Sequence, residues 1–199
     1  MPIGEMVFRE FRGRFGGRPR LFSAPGRINI IGEHTDYSEG FVMPAAIDRS
    51  CVVAIAPNGR GELRVVSLNR QEEAAIGGLF RRTGTWIDYV AGVRAALGDA
   101  GVEVPSCDLV ISGDVPEGAG VSSSAALEVS TMIAMLACAG VTASPIDIAL
   151  WAQSAEVKYV GMPCGVMDQF ISANGMAGHA LVVDCRSLSF EPARLPDEV

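Results

Sequence analysis

D-V-P-E-G-A-G-V-S-S-S-A-A-L-E-V, residues Asp114–Val129, is the stretch from which the rest of the chain is read. Pro116, Gly118 and Gly120 make a flexible turn rich in N–H donors, and Ser122, Ser123 and Ser124 stand where the next helix begins. A helix start leaves four N–H groups without partners and carries partial positive charge. Glycines just ahead of it let the backbone close on an anion. Such a loop suits a phosphate, with a serine hydroxyl at its end placed for a magnesium ion. The plainer alternative is a Gly-rich turn ending in a serine N-cap. A Walker A loop is excluded, because the G-x-x-x-x-G-K-S/T pattern and its lysine are missing.

A chain of 199 residues with 49% hydrophobic content suggests one large domain or one and a half, enough to bury a real core. A net charge of −7 argues against nucleic-acid or anionic-membrane partners. No apolar run is long enough to span a bilayer, and the N-terminus lacks a signal-peptide core. Cys51, Cys107, Cys138, Cys164 and Cys185 are scattered without a C-x-x-C pair, as expected for reduced thiols in a cytoplasmic protein. With two histidines in the chain, a histidine-based metal site is not expected.

Around the central loop the chain alternates strands, hairpins and helices. Met6, Val7, Phe8, Phe11 and Phe15 predict a short amphipathic helix broken at Gly16-Gly17. Leu21–Ala24 reads as a strand stopped by Pro25-Gly26. In Gly26–Tyr37 an apolar segment (Ile28, Ile30, Ile31) runs straight into Glu33, His34 and Asp36, which either point to solvent or line a polar pocket. Cys51–Ala56 predicts a strand buried on both faces, turned at Asn58–Gly61 so that Glu62–Asn69 returns as the second hairpin arm. Gln71–Thr83 reads as a connector. Thr85–Leu97 predicts an amphipathic helix with Trp86, Tyr89, Val90 and Val93 on one stripe and a Thr85–Asp88 capping box.

Asp108–Ser112 predicts the strand feeding the loop, and Ser123–Ala139 a helix apolar almost all round, hence central. A helix capped by Ser144, with Pro145 at its first position, is expected to run to about Tyr159. Glu156 near its C-terminal end meets an unfavourable dipole and needs Lys158, solvent or a metal ion beside it. Asp168 falls in the first turn of a short helix, Val166–Asn174, either as a capping residue or as a base. Ala180–Cys185 and Leu188–Pro192 predict two closing strands. The class expected is α+β, a two-layer sandwich of a mixed, mostly antiparallel sheet and helices, without a Rossmann fingerprint.

Three separated stretches, A-P-G-R-I-N-I-I-G-E-H-T-D-Y-S-E-G-F-V-M-P (24–44), P-E-G-A-G-V-S-S-S-A-A-L-E-V (116–129) and C-G-V-M-D-Q-F-I-S (164–172), together resemble the galactokinase branch of the GHMP small-molecule kinase superfamily. The resemblance extends to T-W-I-D-Y-V-A-G-V (85–93) and G-H-A-L-V-V-D-C-R-S-L (178–188). The serine loop is common to the superfamily, whereas E-H-T-D-Y is specific to this branch. The resemblance implies ATP-dependent phosphorylation of galactose at its C1 hydroxyl, with ATP and Mg2+. Arg27 would be the cation beside the reacting oxygen and the γ-phosphate, and Asp168 would accept the hydroxyl proton. Glu33, His34, Thr35, Asp36 and Gly165 would contact the sugar. Gly118, Ala119, Gly120, Val121, Ser122, Ser123 and Ser124 would wrap the nucleotide phosphates, with Ser124 and Glu156 on the metal.

Residues 1–199 then correspond to the N-terminal, galactose- and nucleotide-binding domain. Galactokinases are roughly twice this length, so a C-terminal domain is expected to be needed in cis and the chain alone to turn over little. The alternatives are a kinase of the same branch acting on N-acetylgalactosamine or arabinose, and a sugar- and ATP-binding sensor derived from the kinase.

Overall fold

The computed structural model describes residues 1–196. Helix α1 spans Ile3–Phe15 and ends at Gly16, where the apolar spacing predicts a break. Strand β1 runs over Arg20–Asn29, continuing through Pro25-Gly26 rather than stopping there. It does so by shifting register between Pro25 and Arg27 against β3, an irregularity that absorbs the missing proline N–H. Strand β2 is Phe41–Val42 and β3 is Pro44–Pro57, longer than the apolar run Cys51–Ala56 suggested. The added first half of β3 is held by its pairing with β1, a long-range partner that local composition does not announce.

The expected hairpin between β3 and the following arm does not form. Strand β4 (Leu63–Ser67) instead pairs antiparallel with β5 (Glu72–Ile76), inside what reads as a connector. Helix α2 (Ile87–Asp99) then carries the chain to β6 (Cys107–Gly113), which inserts between β3 and β4. The β4–β6 pair is parallel, and a parallel pair needs a crossover of this kind. Arg64 on β4 lies in register with Asp108 on β6 and forks onto it through two bonds of 2.6 Å. That charge pair favours the insertion over a simple hairpin.

Helix α3 occupies Ser123–Ala139, as its composition predicts. Helix α4 (Pro145–Ser154) is capped by Ser144, whose hydroxyl accepts the Asp147 N–H at 3.1 Å. The helix expected to reach Tyr159 widens instead into a π-helical turn, Ala155–Val160. Helix α5 (Met167–Asn174) follows, and β7 (His179–Asp184) with β8 (Ser189–Arg194) closes the chain as a hairpin.

The result is an α+β fold on one mixed, mostly antiparallel sheet. Along β3 successive side chains point to opposite faces. Val53 and Ile55 join Val65, Leu109 and Ile111 in a core closed by Val129 and Met132 of α3 and Leu97 of α2. Val52 and Ala54 face the other way, onto Val7 and Phe11 of α1. That single helix explains why Cys51–Ala56 reads as buried on both sides. All five cysteines are free, and among the described residues no helix is long and apolar enough to cross a membrane.

Asp88 enters α2 differently from a simple capping box. Its carboxylate reaches back to accept the N–H groups of Thr83 (2.9 Å) and Gly84 (2.7 Å) and the Thr83 hydroxyl (2.8 Å). Burial pushes the carboxyl up, but these donors outweigh it and hold Asp88 below its ordinary value. A carboxyl depressed on folding stabilises the native state above its unfolded pKa of about 3.9, and that contribution fades as pH falls through the folded value. Asp88→Asn should therefore lower the urea midpoint at pH 7, and the gap to the parent should narrow toward pH 3. A gap constant with pH would show that the charge contributes nothing.

Candidate active site

The register shift in β1 is where the site begins. Gly26 stands so close to the serine loop that a Cβ there would lie 2.6 Å from the Val121 carbonyl, and the next N–H, Arg27, donates to that same carbonyl at 3.0 Å. Strand and loop are thereby sewn together. The Arg27 guanidinium then takes three partners. Its Nε and Nη2 donate to the two Asp168 oxygens at 2.7 and 2.9 Å, and its Nη1 donates to the Gly120 carbonyl at 2.6 Å. A two-pronged pair of this kind fixes the carboxylate plane as well as its place.

Gly118 and Gly120 both take positive φ (74° and 71°) in the exposed part of the loop. Ser122 does so too, at φ 61°, an uncommon conformation for a residue with a side chain. It is buried and makes no N-cap; its hydroxyl donates to Asp168 Oδ2 at 2.5 Å. The plain capping reading of this serine is therefore set aside by geometry. The start of α3 is left with its N–H groups free of a side-chain cap.

The acidic segment approaches from the other side. Gly32 (φ 94°) and His34 (φ 60°) bend it, and the Thr35 hydroxyl lies 2.8 Å from the carbonyls of both Gly32 and Phe41. Thr35 thus closes the loop on itself. Glu33 is exposed and accepts from the Asn29 amide at 3.0 Å. Asp36 presses against buried Gly165, where a Cβ would fall 2.0 Å from its Oδ2. Gly165 lies three residues before Asp168, so residues near 35, 120 and 168 meet in one region. His34 is exposed beside Tyr37, with ring centroids 5.9 Å apart.

Glu156 sits in the π-helical turn and is buried. Lys158 does not compensate it, since that ammonium lies 3.4 Å from Asp99. Glu156 instead accepts from the Gln169 amide (2.5 Å) and the Cys164 thiol (3.5 Å). Burial is the main reason its carboxyl is pushed up, and the bonds from Cys164, Ser124 and Gln169 work against that. Gln169 and Glu128 are both wholly buried, and neither is singled out by the sequence. Glu128 hides in an otherwise apolar helix, and Gln169 in the shadow of Asp168. The one available signal was an acidic residue at a position of α3 that the apolar pattern assigns to the interior.

Beside the loop opens a cleft of about 1180 Å³, lined by Asn69, Arg70, Trp86, Tyr89, Gly118 and Ser124. Trp86 and Tyr89 read from sequence as part of a core stripe, yet both reach the cleft wall. Asn69 and Arg70 follow β4, whose placement beside β6 local pattern does not reveal.

The fold and this loop define the N-terminal domain of a GHMP kinase. The signature of that domain matches residues 88–176, and the galactokinase galactose-binding signature matches residues 9–57. Galactokinases of Chloroflexus aggregans and a Roseiflexus species are each 42% identical, over 97% and 100% of this chain and 50% and 51% of theirs. The crystal structure of Lactococcus lactis galactokinase complexed with galactose superposes with a TM-score of 0.92 at 28% identity, over 98% of this chain and 52% of that one. The Methanococcus jannaschii mevalonate kinase shares the fold alone, with a TM-score of 0.75 at 16% identity over 89% of this chain and 56% of its own. The chain is similar to galactokinases along almost all of its length, and it spans about half the length of the curated relatives it matches.

The Asp36–Gly165 contact makes its own prediction. Gly165→Ala should push Asp36 aside and destabilise the domain by about 1–3 kcal/mol, the usual range for overpacking. A crystal structure of the variant with Asp36 unmoved, together with an unchanged unfolding midpoint, would contradict the close fit.

Proposed function

We propose that this chain is the sugar- and nucleotide-binding part of a kinase that transfers the γ-phosphoryl of ATP to the C1 hydroxyl of galactose, giving galactose 1-phosphate and ADP. The observation that carries the reading is the clamp on Asp168, held by both prongs of Arg27 and by Ser122 at the mouth of the Gly118–Ser124 loop. A carboxylate fixed in this way is aimed rather than free to rotate. It accepts the proton of the attacking hydroxyl, and Arg27 remains beside the charge that develops on the transferring group. Phosphoryl transfer asks for positioning and charge neutralisation more than covalent chemistry.

The residues Gly118, Ala119, Gly120, Val121, Ser122, Ser123 and Ser124 present backbone N–H groups and the start of α3 to the nucleotide phosphates. The cleft lined by Trp86 and Tyr89 takes the rest of the nucleotide. Glu33, His34 and Asp36 bind sugar hydroxyls as acceptors and donors, with Thr35 and Gly165 holding that loop in shape. An acceptor left unpaired by the wrong epimer is the source of sugar choice.

Ser124 and Glu156 suit Mg2+: both offer hard oxygen ligands, and the Glu156 carboxyl is buried against an amide and a thiol rather than a cation. When bound, the ion would neutralise phosphate charge and align the transferring group. The activity is that of the complete protein, of which a second half is taken to be part.

Two substitutions test the assignment in the full-length protein. Asp168→Asn should lower galactose-dependent ADP release by about 10²–10⁴-fold while calorimetry still finds galactose binding. A rate near that of the parent would show that the aspartate is not the proton acceptor. Ser124→Ala should raise the KM for MgATP and leave galactose affinity as it was; the reverse order would remove Ser124 from the metal site.

A further inference from the structure

Gln169 is wholly buried one residue beyond Asp168, and its amide nitrogen lies between two carboxyls. It is 2.9 Å from Glu128 Oε2 and 2.5 Å from Glu156 Oε2. A carboxamide nitrogen has two hydrogens, so one N–H serves each carboxyl. The three residues come from three elements: Glu128 from α3, Glu156 from the π-helical turn and Gln169 from α5. Ser124 and Glu128 are four residues apart on α3, one turn above the other on the same face. The Ser124 hydroxyl also favours the charged form of Glu156, and the hydrogen bonds run from Glu128, one helical turn beyond Ser124, across Gln169 to Glu156.

The arrangement is unfavourable for stability alone. Glu128 Oε1 and Gln169 Oε1 are both buried with no partner. Apolar side chains of the same size would pack there without that penalty. Burial above all, and then the neighbouring Glu156, pushes the Glu128 carboxyl well up. Glu128 accepts from the amide at Oε2 and so anchors it from the α3 side.

We propose that Gln169, anchored by Glu128, is the positioning residue for Glu156, holding its carboxylate toward Ser124 in the orientation a divalent cation requires. The inference rests on the reading of Glu156 as a metal ligand. A glutamate side chain is rich in rotamers, and holding it in advance means the cation does not have to order it on binding. Gln169 also ties the metal side of the site to the residue next to Asp168 in the chain, so α5 sets both at once.

The test uses the full-length protein, MgCl2 and a non-hydrolysable ATP analogue, with calorimetry giving the analogue's affinity in magnesium and in EDTA. The ratio of the two affinities is the readout. Gln169→Met keeps length and removes both donors; it should lower the ratio by about 10-fold or more, the usual effect of losing an outer partner of a metal ligand. Affinity in EDTA should stay near that of the parent, while the unfolding midpoint falls because two buried carboxyls lose their donor. Glu128→Leu should lower the ratio likewise, whereas Glu128→Gln, which keeps an acceptor at the same place, should hold it within about threefold. If Gln169→Met does not fold, the contrast between Glu128→Leu and Glu128→Gln decides alone. A ratio unchanged in Gln169→Met and Glu128→Leu but lost in Glu156→Gln overturns the inference and leaves the metal ligand standing. A ratio unchanged in Glu156→Gln as well overturns both.

Discussion

One guanidinium joins three separated parts of this domain. Arg27 leaves an irregular point of β1, grips both oxygens of Asp168 on α5 and donates to Gly120 in the serine loop. Three segments that share no local sequence are thereby held to one another at hydrogen-bond distance. Gly26 is what permits it, since any side chain there would collide with the loop backbone that Arg27 must reach. The sheet supplies the rigidity behind the arginine: β1 is paired along β3, and β3 is backed by β6. A charge cluster mounted on that frame keeps its geometry without help from solvent.

A second constraint is electrostatic. Glu128, Glu156 and Asp168 gather around the N-terminal half of α3, and Arg27 is committed to Asp168. The fold answers by burying Glu128, whose carboxyl is pushed well up, and by giving Glu156 an amide and a thiol instead of a cation. Such a set is poorly suited to a purely structural core. It suits a place where positive charge arrives with a ligand.

Much of this could be read from the residues in order. The apolar circumference of Ser123–Ala139 announced a central helix, and Ser144-Pro145 announced the start of α4, because caps and buried faces are written in neighbouring residues. The sheet order was less legible. Nothing within Leu63–Ser67 says that its neighbour is β6 rather than β3; Arg64 and Asp108, 44 residues apart, decide it. The π-helical turn at Ala155–Val160 has no compositional mark either, yet it carries Glu156. Asp168 and Arg27 were legible through their motifs, while Glu128 and Gln169 acquire meaning only once three elements are seen to converge. Long-range pairing is the common cause of what sequence pattern missed.

The contact between Arg27 and Asp168 spans 141 positions of chain. Closing a flexible segment of that length costs roughly 4 kcal/mol in entropy beyond a constant, more than a typical exposed ion pair returns in water. The pair therefore depends on strand pairing and the burial of α3 to bring its ends together. The clamp is thus a report on the integrity of the whole domain, since it has no local support of its own.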